Sequence, residues 1–283
     1  MKLPRFEYAA PATLDEALDL LASHSGAKAL AGGQSLIPTM AFRLAAPSML
    51  VDLRKIPDLD GIEIGKNDTV LGARVRWRDI QASRELARAQ PLLVAAIEHV
   101  AHYQIRNRGT VGGSLAHADP AAELPGIAVT CDAEIQLKGK RGARAVKAAE
   151  FFVGALATVL ADDELIVEMR LPAWSADRRW GFEELAPRRG DFAYAGVAAF
   201  YDLHEGKAIN AHIGVFGACQ RPHRIPEAEA ALNGRAVDSA SIAGAAAAAE
   251  QAVDPPGDLH ASAAYRRSLV GTLLERALRR RQH

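Results

Sequence analysis

The spacing of apolar residues predicts an amphipathic helix near the start of the chain. Apolar side chains recur every three or four positions over residues 14–23, so they share one helical face. Thr13 and Glu16 form a capping box at the head of this segment. Two short apolar runs, 28–30 and 49–53, predict buried strands, and a glycine-containing loop lies between them. The first part of the chain therefore predicts a small unit of the β-α-β kind.

The middle of the chain predicts antiparallel strands. Alternating polar and apolar residues flank two glycine-containing turns, 65–68 and 139–142, as they do in β-hairpins. The predicted strands occupy residues 62–64, 69–73, 134–138, 143–147 and 165–171. Helical spacing predicts two helices over residues 77–87 and 91–101.

A change of pattern at residues 172–178 predicts a domain boundary. Before it, short strands and helices alternate, whereas after it three strands are followed by helices. The predicted strands and helices of this second part cover residues 180–186, 194–203, 209–218, 227–232, 239–252 and 262–281. We therefore expect a first domain over 1–176, with subdomains of about 1–56 and 57–176, and a second domain over 177–283.

The charge balance excludes an electrostatic attraction to nucleic acid. Lysine plus arginine and aspartate plus glutamate both number 34 in 283 residues, so the chain has no net field. No apolar run reaches the length of about 18 residues that a membrane span requires. The N-terminus also lacks the apolar core of a signal peptide. The sequence predicts a soluble cytoplasmic protein with no membrane span and no nucleic-acid partner.

The cysteines and histidines do not predict a metal centre. An iron–sulfur cluster takes about four thiolates, whereas Cys131 and Cys219 are the only cysteines and lie far apart. We predict that both are core residues. His99 and His102 are three positions apart, but neither they nor His117 belong to a spacing typical of metal ligands. No metal site is predicted in this chain.

Two glycine-rich loops predict a site for a phosphate-bearing cofactor. One loop is Ala31–Ser35, and the other contains Gly112 and Gly113 within residues 106–124. Glycine lets the backbone approach a ligand closely, and we expect a run of free backbone N–H groups to face the phosphates. A Rossmann domain is not predicted, because the first loop lacks a third glycine and Pro38 interrupts the helix that should follow.

Two acidic residues follow the second glycine loop. Asp119 and Pro120 have the form of an N-cap and first residue of a helix. Pro125 leaves a second possibility, in which the helix begins near Glu123. With the first of these starts, Asp119 would be the helix cap.

Four segments resemble one known family of flavoproteins. They are AGGQSLIP (31–38), RNRGTVGGSLAHADPAAELP (106–125), RRGDFA (188–193) and ASAAYRRSLVGTLLERAL (261–278). With these segments the chain resembles the FAD-binding medium subunit of the molybdenum-containing hydroxylases, the carbon monoxide dehydrogenase and xanthine dehydrogenase family. The resemblance implies an α+β fold: an FAD-binding domain of the vanillyl-alcohol oxidase type with two α/β subdomains, then a small three-stranded antiparallel sheet with C-terminal helices.

The resemblance also implies which residues contact FAD. The two glycine loops would bind the diphosphate and ribitol, and Glu123 would accept a hydrogen bond on the ribose or adenosine side. Leu165 or Ile166 would meet the flavin through backbone atoms, and Phe192 would stack on it or shield it. The implied set is Lys28, Ala31, Gly32, Gly33, Gln34, Ser35, Leu36, Thr110, Val111, Gly112, Gly113, Ser114, His117, Asp119, Glu123, Leu165, Ile166, Asp191 and Phe192.

The implied function is electron transfer within a larger enzyme. This chain would hold FAD and no catalytic side chain of its own, while partner chains hold molybdopterin and two [2Fe–2S] clusters. Those partners would be a large and a small subunit, in a dimer of heterotrimers. Glu183 and Glu184 stand where xanthine dehydrogenase relatives have a lysine, which removes one cation near the flavin. Two alternatives stay open: a stand-alone FAD-dependent oxidoreductase, or a flavin-binding module without turnover.

Overall fold

A computed structural model describes residues 2–280. The first part of the chain forms a three-stranded parallel sheet in the order β1-β3-β2. Its elements are β1 (Glu7–Ala9), α1 (Leu14–Ser23), β2 (Lys28–Leu30), α2 (Leu36–Ala41) and β3 (Met49–Asp52), with a 3-10 turn at Leu53–Lys55. The capping box of Thr13 and Glu16 is present. The apolar face of α1 packs on this sheet and forms a small core with it.

The middle of the chain forms a five-stranded antiparallel sheet surrounded by short helices. The strand order is β4-β5-β10-β6-β7, so the last strand returns to the centre of the sheet. The elements are β4 (Ile62–Ile64), β5 (Asp68–Gly72), α3 (Trp77–Ala82), α4 (Arg84–Ala89), α5 (Pro91–Ile97), α6 (Tyr103–Arg106), α7 (Val111–His117), α8 (Glu123–Thr130), β6 (Glu134–Gly139), β7 (Gly142–Lys147), α9 (Ala148–Phe151), β8 (Phe152–Gly154), β9 (Ala157–Thr158) and β10 (Glu164–Pro172).

The last part of the chain forms a second antiparallel sheet covered by three helices. Its strand order is β11-β12-β13-β14. The elements are β11 (Arg178–Leu185), β12 (Ala195–His204), β13 (Lys207–Phe216), β14 (His223–Arg224), α10 (Pro226–Leu232), α11 (Ser239–Ala252) and α12 (Ala263–Arg279). Helices α10 and α12 pack on the sheet, α11 packs on these two helices, and together they enclose a separate core.

Helix α8 joins the middle of the chain to the second sheet. Every residue of α8 is buried, including its first residue, Glu123. Leu124 and Ile127 belong to the large core of the middle region. At the other end of the helix, the ring of His212 on β13 donates a hydrogen bond to the Thr130 carbonyl oxygen at 2.9 Å. Because α8 is enclosed on both sides, the position of Glu123 is set by both halves of the molecule.

Several predicted helices have different bounds in the structure. The helix predicted over 77–87 is wrong as a single element, because the chain turns at Ser83, whose hydroxyl accepts a hydrogen bond from the Leu86 N–H and begins a new helix. The helix predicted over 91–101 ends at Ile97. Asp119 is not a helix N-cap: α8 begins at Glu123, which is the second of the two starts that the sequence allowed.

The second sheet also differs from the prediction. The three predicted strands are present, but a fourth strand of two residues, β14, pairs with the edge of β13. It is too short to produce an alternating pattern in the sequence. The predicted C-terminal helix is observed over Ala263–Arg279, and position 281 of that prediction lies outside the described residues. Within residues 2–280, no helix combines the length and apolar composition needed to cross a membrane.

Candidate functional site

A large cleft lies where the parallel sheet, the middle region and the second sheet meet. Its volume is about 970 Å³, which is in the range of sites that hold cofactors. The walls come from distant parts of the chain: the segment 28–36, the start of α7, the hairpin of β8 and β9, the start of β10, and the loop 190–192. Apolar surface predominates, and a few polar groups converge on it.

The first glycine loop presents unpaired backbone N–H groups at the N-terminus of α2. Gly33 has a φ of +73°, a conformation that glycine adopts without strain. Within the described part of the chain, the N–H groups of Gly33, Gln34, Ser35 and Leu36 donate no hydrogen bond. Successive N–H groups of this kind form a concave anion-binding surface. The loop therefore has the donors that a diphosphate requires.

The second glycine loop has a different role from the one expected. Its N–H groups are not free: those of Val111 and Gly112 donate to the carbonyl oxygens of Val75 and Ala73 at 3.0 and 2.8 Å. The next N–H, that of Gly113, donates to the Thr110 hydroxyl at 3.2 Å. The expectation of a run of free N–H groups here is wrong, because the loop is the capped first turn of α7. Gly112 is required by packing, since a Cβ atom added there would lie 2.7 Å from the Ala73 Cβ.

The two loops touch each other at one point. A Cβ atom added to Gly32 would lie 2.2 Å from the Arg108 carbonyl oxygen and 3.0 Å from the Gly109 Cα. The Arg108 Nε also donates to the Gly32 carbonyl oxygen at 3.3 Å. Since both neighbours are backbone atoms, only glycine fits at position 32. This contact holds the two loops side by side along one wall of the cleft.

The structure brings the predicted site residues together. All of them line the cleft except Val111, whose side chain is fully buried in the core beneath the second loop. Asp119 lies at the wall, where its Oδ1 accepts a hydrogen bond from the Ala121 N–H at 2.9 Å. Leu165 and Ile166 lie on β10, and their side chains are almost completely buried.

Several lining residues have no motif in the sequence. The tip of the β8–β9 hairpin places Leu156 in the cleft wall, where its N–H donates to the Ala118 carbonyl oxygen at 3.0 Å. Trp77 and Ile105 also line the cleft. A two-stranded hairpin of five residues is too short to give a periodic signal.

Positive charge is scarce in the cleft. Among the described residues that line it, Lys28 is the only lysine or arginine, and its Nζ lies 2.8 Å from Asp162 Oδ1. This contact lowers the pKa of Asp162. The negative charge of Glu164 is likewise compensated, since a hydrogen bond from Arg144 lowers the pKa of this carboxyl group. An anionic ligand would therefore rely on backbone N–H groups and not on a cluster of cations.

Glu123 faces the cleft in an unusual electrostatic setting. Glu123 is only 9% exposed to solvent. Burial, followed by the negative charges of Glu184 and Asp119, raises the pKa of Glu123 from 4.5 to about 8. The carboxyl group is therefore neutral at pH 7. A neutral carboxylic acid can donate a hydrogen bond as well as accept one.

The loop that carries Phe192 is held by a buried arginine from the last helix. The Nη1 of Arg266 donates to the carbonyl oxygens of Tyr194 and Gly217, both at 2.8 Å. The Gly217 N–H donates to the Pro120 carbonyl oxygen at 2.7 Å, which connects this tether to the segment before α8. Phe192 itself is 68% exposed at the cleft. The second sheet thus supports one rim of the cleft.

Comparison with known proteins assigns the two halves of the chain. Residues 4–174 match the family described as the FAD binding domain in molybdopterin dehydrogenase. Residues 180–281 match the CO dehydrogenase flavoprotein C-terminal domain. The chain belongs to the FAD-binding subunits of the molybdenum-containing hydroxylases.

Relatives match this subunit over almost its whole length. It is 39% identical over 278 residues to the nicotine 6-hydroxylase medium subunit of Paenarthrobacter nicotinovorans, covering 98% of each chain. It is 36% identical to the carbon monoxide dehydrogenase medium chain of Hydrogenophaga pseudoflava, covering 97% of this chain and 96% of that one. The solved carbon monoxide dehydrogenase of the same organism superposes with a TM-score of 0.96 at 38% identity, over 99% of this chain and 98% of that one.

The residues present fit FAD. The cofactor has an anionic diphosphate, for which the unpaired N–H groups of residues 33–36 are suitable donors. Because Gly32 has no side chain, the two loops lie in contact, and the space beside them stays open. A side chain at this position would push the loops apart. The chain is thus an FAD-dependent oxidoreductase subunit, and its homologues are subunits of dehydrogenase complexes.

Proposed function

We propose that this subunit accepts electrons from the [2Fe–2S] clusters of a partner chain and passes them through FAD to an external acceptor. Bound FAD supplies the redox chemistry, and the protein supplies binding, orientation and electrostatics. The observation that carries the proposal is the cleft, in which two touching glycine loops frame a set of unpaired N–H groups. The described residues of this chain provide no ligands for an iron–sulfur cluster, because both cysteines are buried in the cores.

Each wall of the cleft has a proposed task. The N–H groups of residues 33–36 bind the diphosphate, and the capped first turn of α7 lets its backbone lie close to the ribitol. Leu165 and Ile166 present backbone atoms of β10 to the flavin. Phe192, on the loop tethered by Arg266, covers the cofactor from the second sheet. Lys28, another predicted contact, is paired with Asp162 and lies at the rim.

The wider assembly is also part of the proposal. We infer a large molybdopterin-binding subunit and a small iron–sulfur subunit as partners, in a dimer of heterotrimers located in the cytoplasm. The homologues named above as medium subunits or medium chains support this inference. We further assign residues 1–176 to an FAD-binding domain of the vanillyl-alcohol oxidase type and residues 177–283 to the C-terminal domain.

Purification from the native cell tests the subunit function. Co-elution with one large and one small chain is expected, with molybdenum and iron in the complex and FAD in this chain. A yellow protein that turns over a substrate alone would instead establish a stand-alone oxidoreductase. A colourless protein that cannot be reconstituted with FAD would exclude every flavin-based function.

The role of the two loops is tested by enlarging one glycine in each. Gly33→Val forces a β-branched residue into a positive φ, and the first side-chain atom of Gly112→Val would lie 2.7 Å from the Ala73 Cβ. Each variant should lose its flavin while the C-terminal domain stays folded. Gly61→Val is the control, since nothing lies within 4 Å of its Cβ position. Flavin fluorescence after heat release measures cofactor content, and undiminished content in both loop variants contradicts the two-loop site.

A further inference from the structure

Two buried carboxyl groups and a histidine lie together behind one wall of the cleft. Glu123 lines the cleft, and Glu184 on β11 is close enough for its charge to act on Glu123. The Glu184 side chain is only 4% exposed, and its Oε1 lies 3.4 Å from the Nδ1 of His99. Its Oε2 has no hydrogen-bond partner among residues 2–280. A buried carboxylate oxygen without a partner is costly and is seldom kept without a function.

The charge of the cleft favours a neutral Glu123 when the cofactor is bound. Asp119 and Asp191 line the same cleft, and Lys28 is occupied by Asp162. An ionised Glu123 would therefore add a negative charge to a cleft that holds an anionic cofactor. A protonated Glu123 removes this charge and gains a donor hydrogen.

We propose that Glu123 binds the cofactor as a neutral carboxylic acid that donates a hydrogen bond, and that Glu184, paired with His99, keeps the proton on Glu123. This inference rests on the proposed function, because it requires FAD in the cleft. Glu123 is the binding residue, whereas Glu184 acts through it as a positioning residue. Affinity for FAD then depends on pH through one carboxyl group.

The groups that face Glu123 come from three directions. Glu184 approaches from β11, and Asp119 lies on the segment before α8. His117 ends α7 and lines the same cleft. On the opposite face of β11, Glu183 is paired with Arg280. His117 is a histidine of the same cleft, so its substitution is the matched control.

The pH dependence of FAD affinity tests the inference. Fluorescence titration of the apo-protein from pH 6 to 9 should give a Kd that is constant at low pH. Above the pKa of Glu123, about 8, the Kd should rise about tenfold per pH unit, because one proton must be taken up for binding. Glu123→Gln keeps a neutral N–H donor of the same shape, so its Kd should not change with pH. Glu184→Gln removes a negative charge, so its inflection should move to lower pH.

Two further measurements keep the inference falsifiable if a variant folds poorly. Calorimetry of wild-type protein in two buffers of different ionisation enthalpy should show proton uptake on FAD binding near pH 8.5. His117→Asn should keep the inflection. A flat wild-type profile, an unchanged slope in Glu123→Gln, or loss of the inflection in His117→Asn would each overturn the inference while FAD binding stands. Absence of FAD binding at every pH would instead overturn the proposed function.

Discussion

Substitution of Gly32 by alanine should separate the two glycine loops and weaken FAD binding. The new Cβ would lie 2.2 Å from the Arg108 carbonyl oxygen, whereas ordinary contacts of this kind are 3.4–4 Å. The loops must therefore move apart by roughly 1 Å, because the interior does not compress to absorb the clash. Overpacking of this kind costs about 1–3 kcal/mol. If that cost falls on the bound state, the Kd for FAD rises by roughly 5- to 150-fold.

Fluorescence titration of the apo-protein with FAD measures this change directly. The matched control is Gly244→Ala within α11, where nothing lies within 4 Å of the added Cβ. The control should bind FAD as wild type does and gain about 0.5–1 kcal/mol of stability, since alanine favours a helix interior over glycine. A Kd for Gly32→Ala within twofold of wild type would refute the close contact as the determinant of the site.

Two other predictions concern stability and reactivity. Arg266→Met should lower the free energy of unfolding by about 1.5–3 kcal/mol for each of its two carbonyl acceptors, because hydrogen bonds to a charged donor are strong. The control is Arg267→Met, which removes an exposed ion pair. Equal losses of stability for the two variants in a urea titration would contradict the tether. Burial raises the pKa of the Cys131 and Cys219 thiols to about 12, so a thiol reagent at pH 8 should modify neither until denaturant is added. Rapid modification of the folded protein would place a thiol at the surface.

Local signals in the sequence were sufficient for most of the elements. The capping box at Thr13 and the spacing over 14–23 predicted α1 with its observed bounds, because caps and amphipathic faces depend on residues a few positions apart. The hairpin strands and the three long strands of the second sheet were predicted for the same reason. The glycine loops were recognised from composition alone, and the structure brings them into one cleft.

The tertiary structure decided what those loops do. Nothing near Gly112 in the sequence shows that its N–H is used by Ala73, so the two loops looked equivalent although the run of free donors lies at residues 33–36. At Ser83, a local helix cap competes with a helical pattern that continues past it, and the structure shows that the cap prevails. Whether a backbone donor is free depends on its spatial neighbours, and those are set by packing.

The sequence by itself determined the family, most of the elements and the two glycine loops of the cleft, because each of these leaves a pattern within a short window. It could not reveal that the charge of Glu184 acts on Glu123, since 60 intervening residues separate them. That interaction arises because α8 is enclosed between the middle region and the second sheet. Electrostatic coupling depends on distance and burial, which only the packed structure specifies.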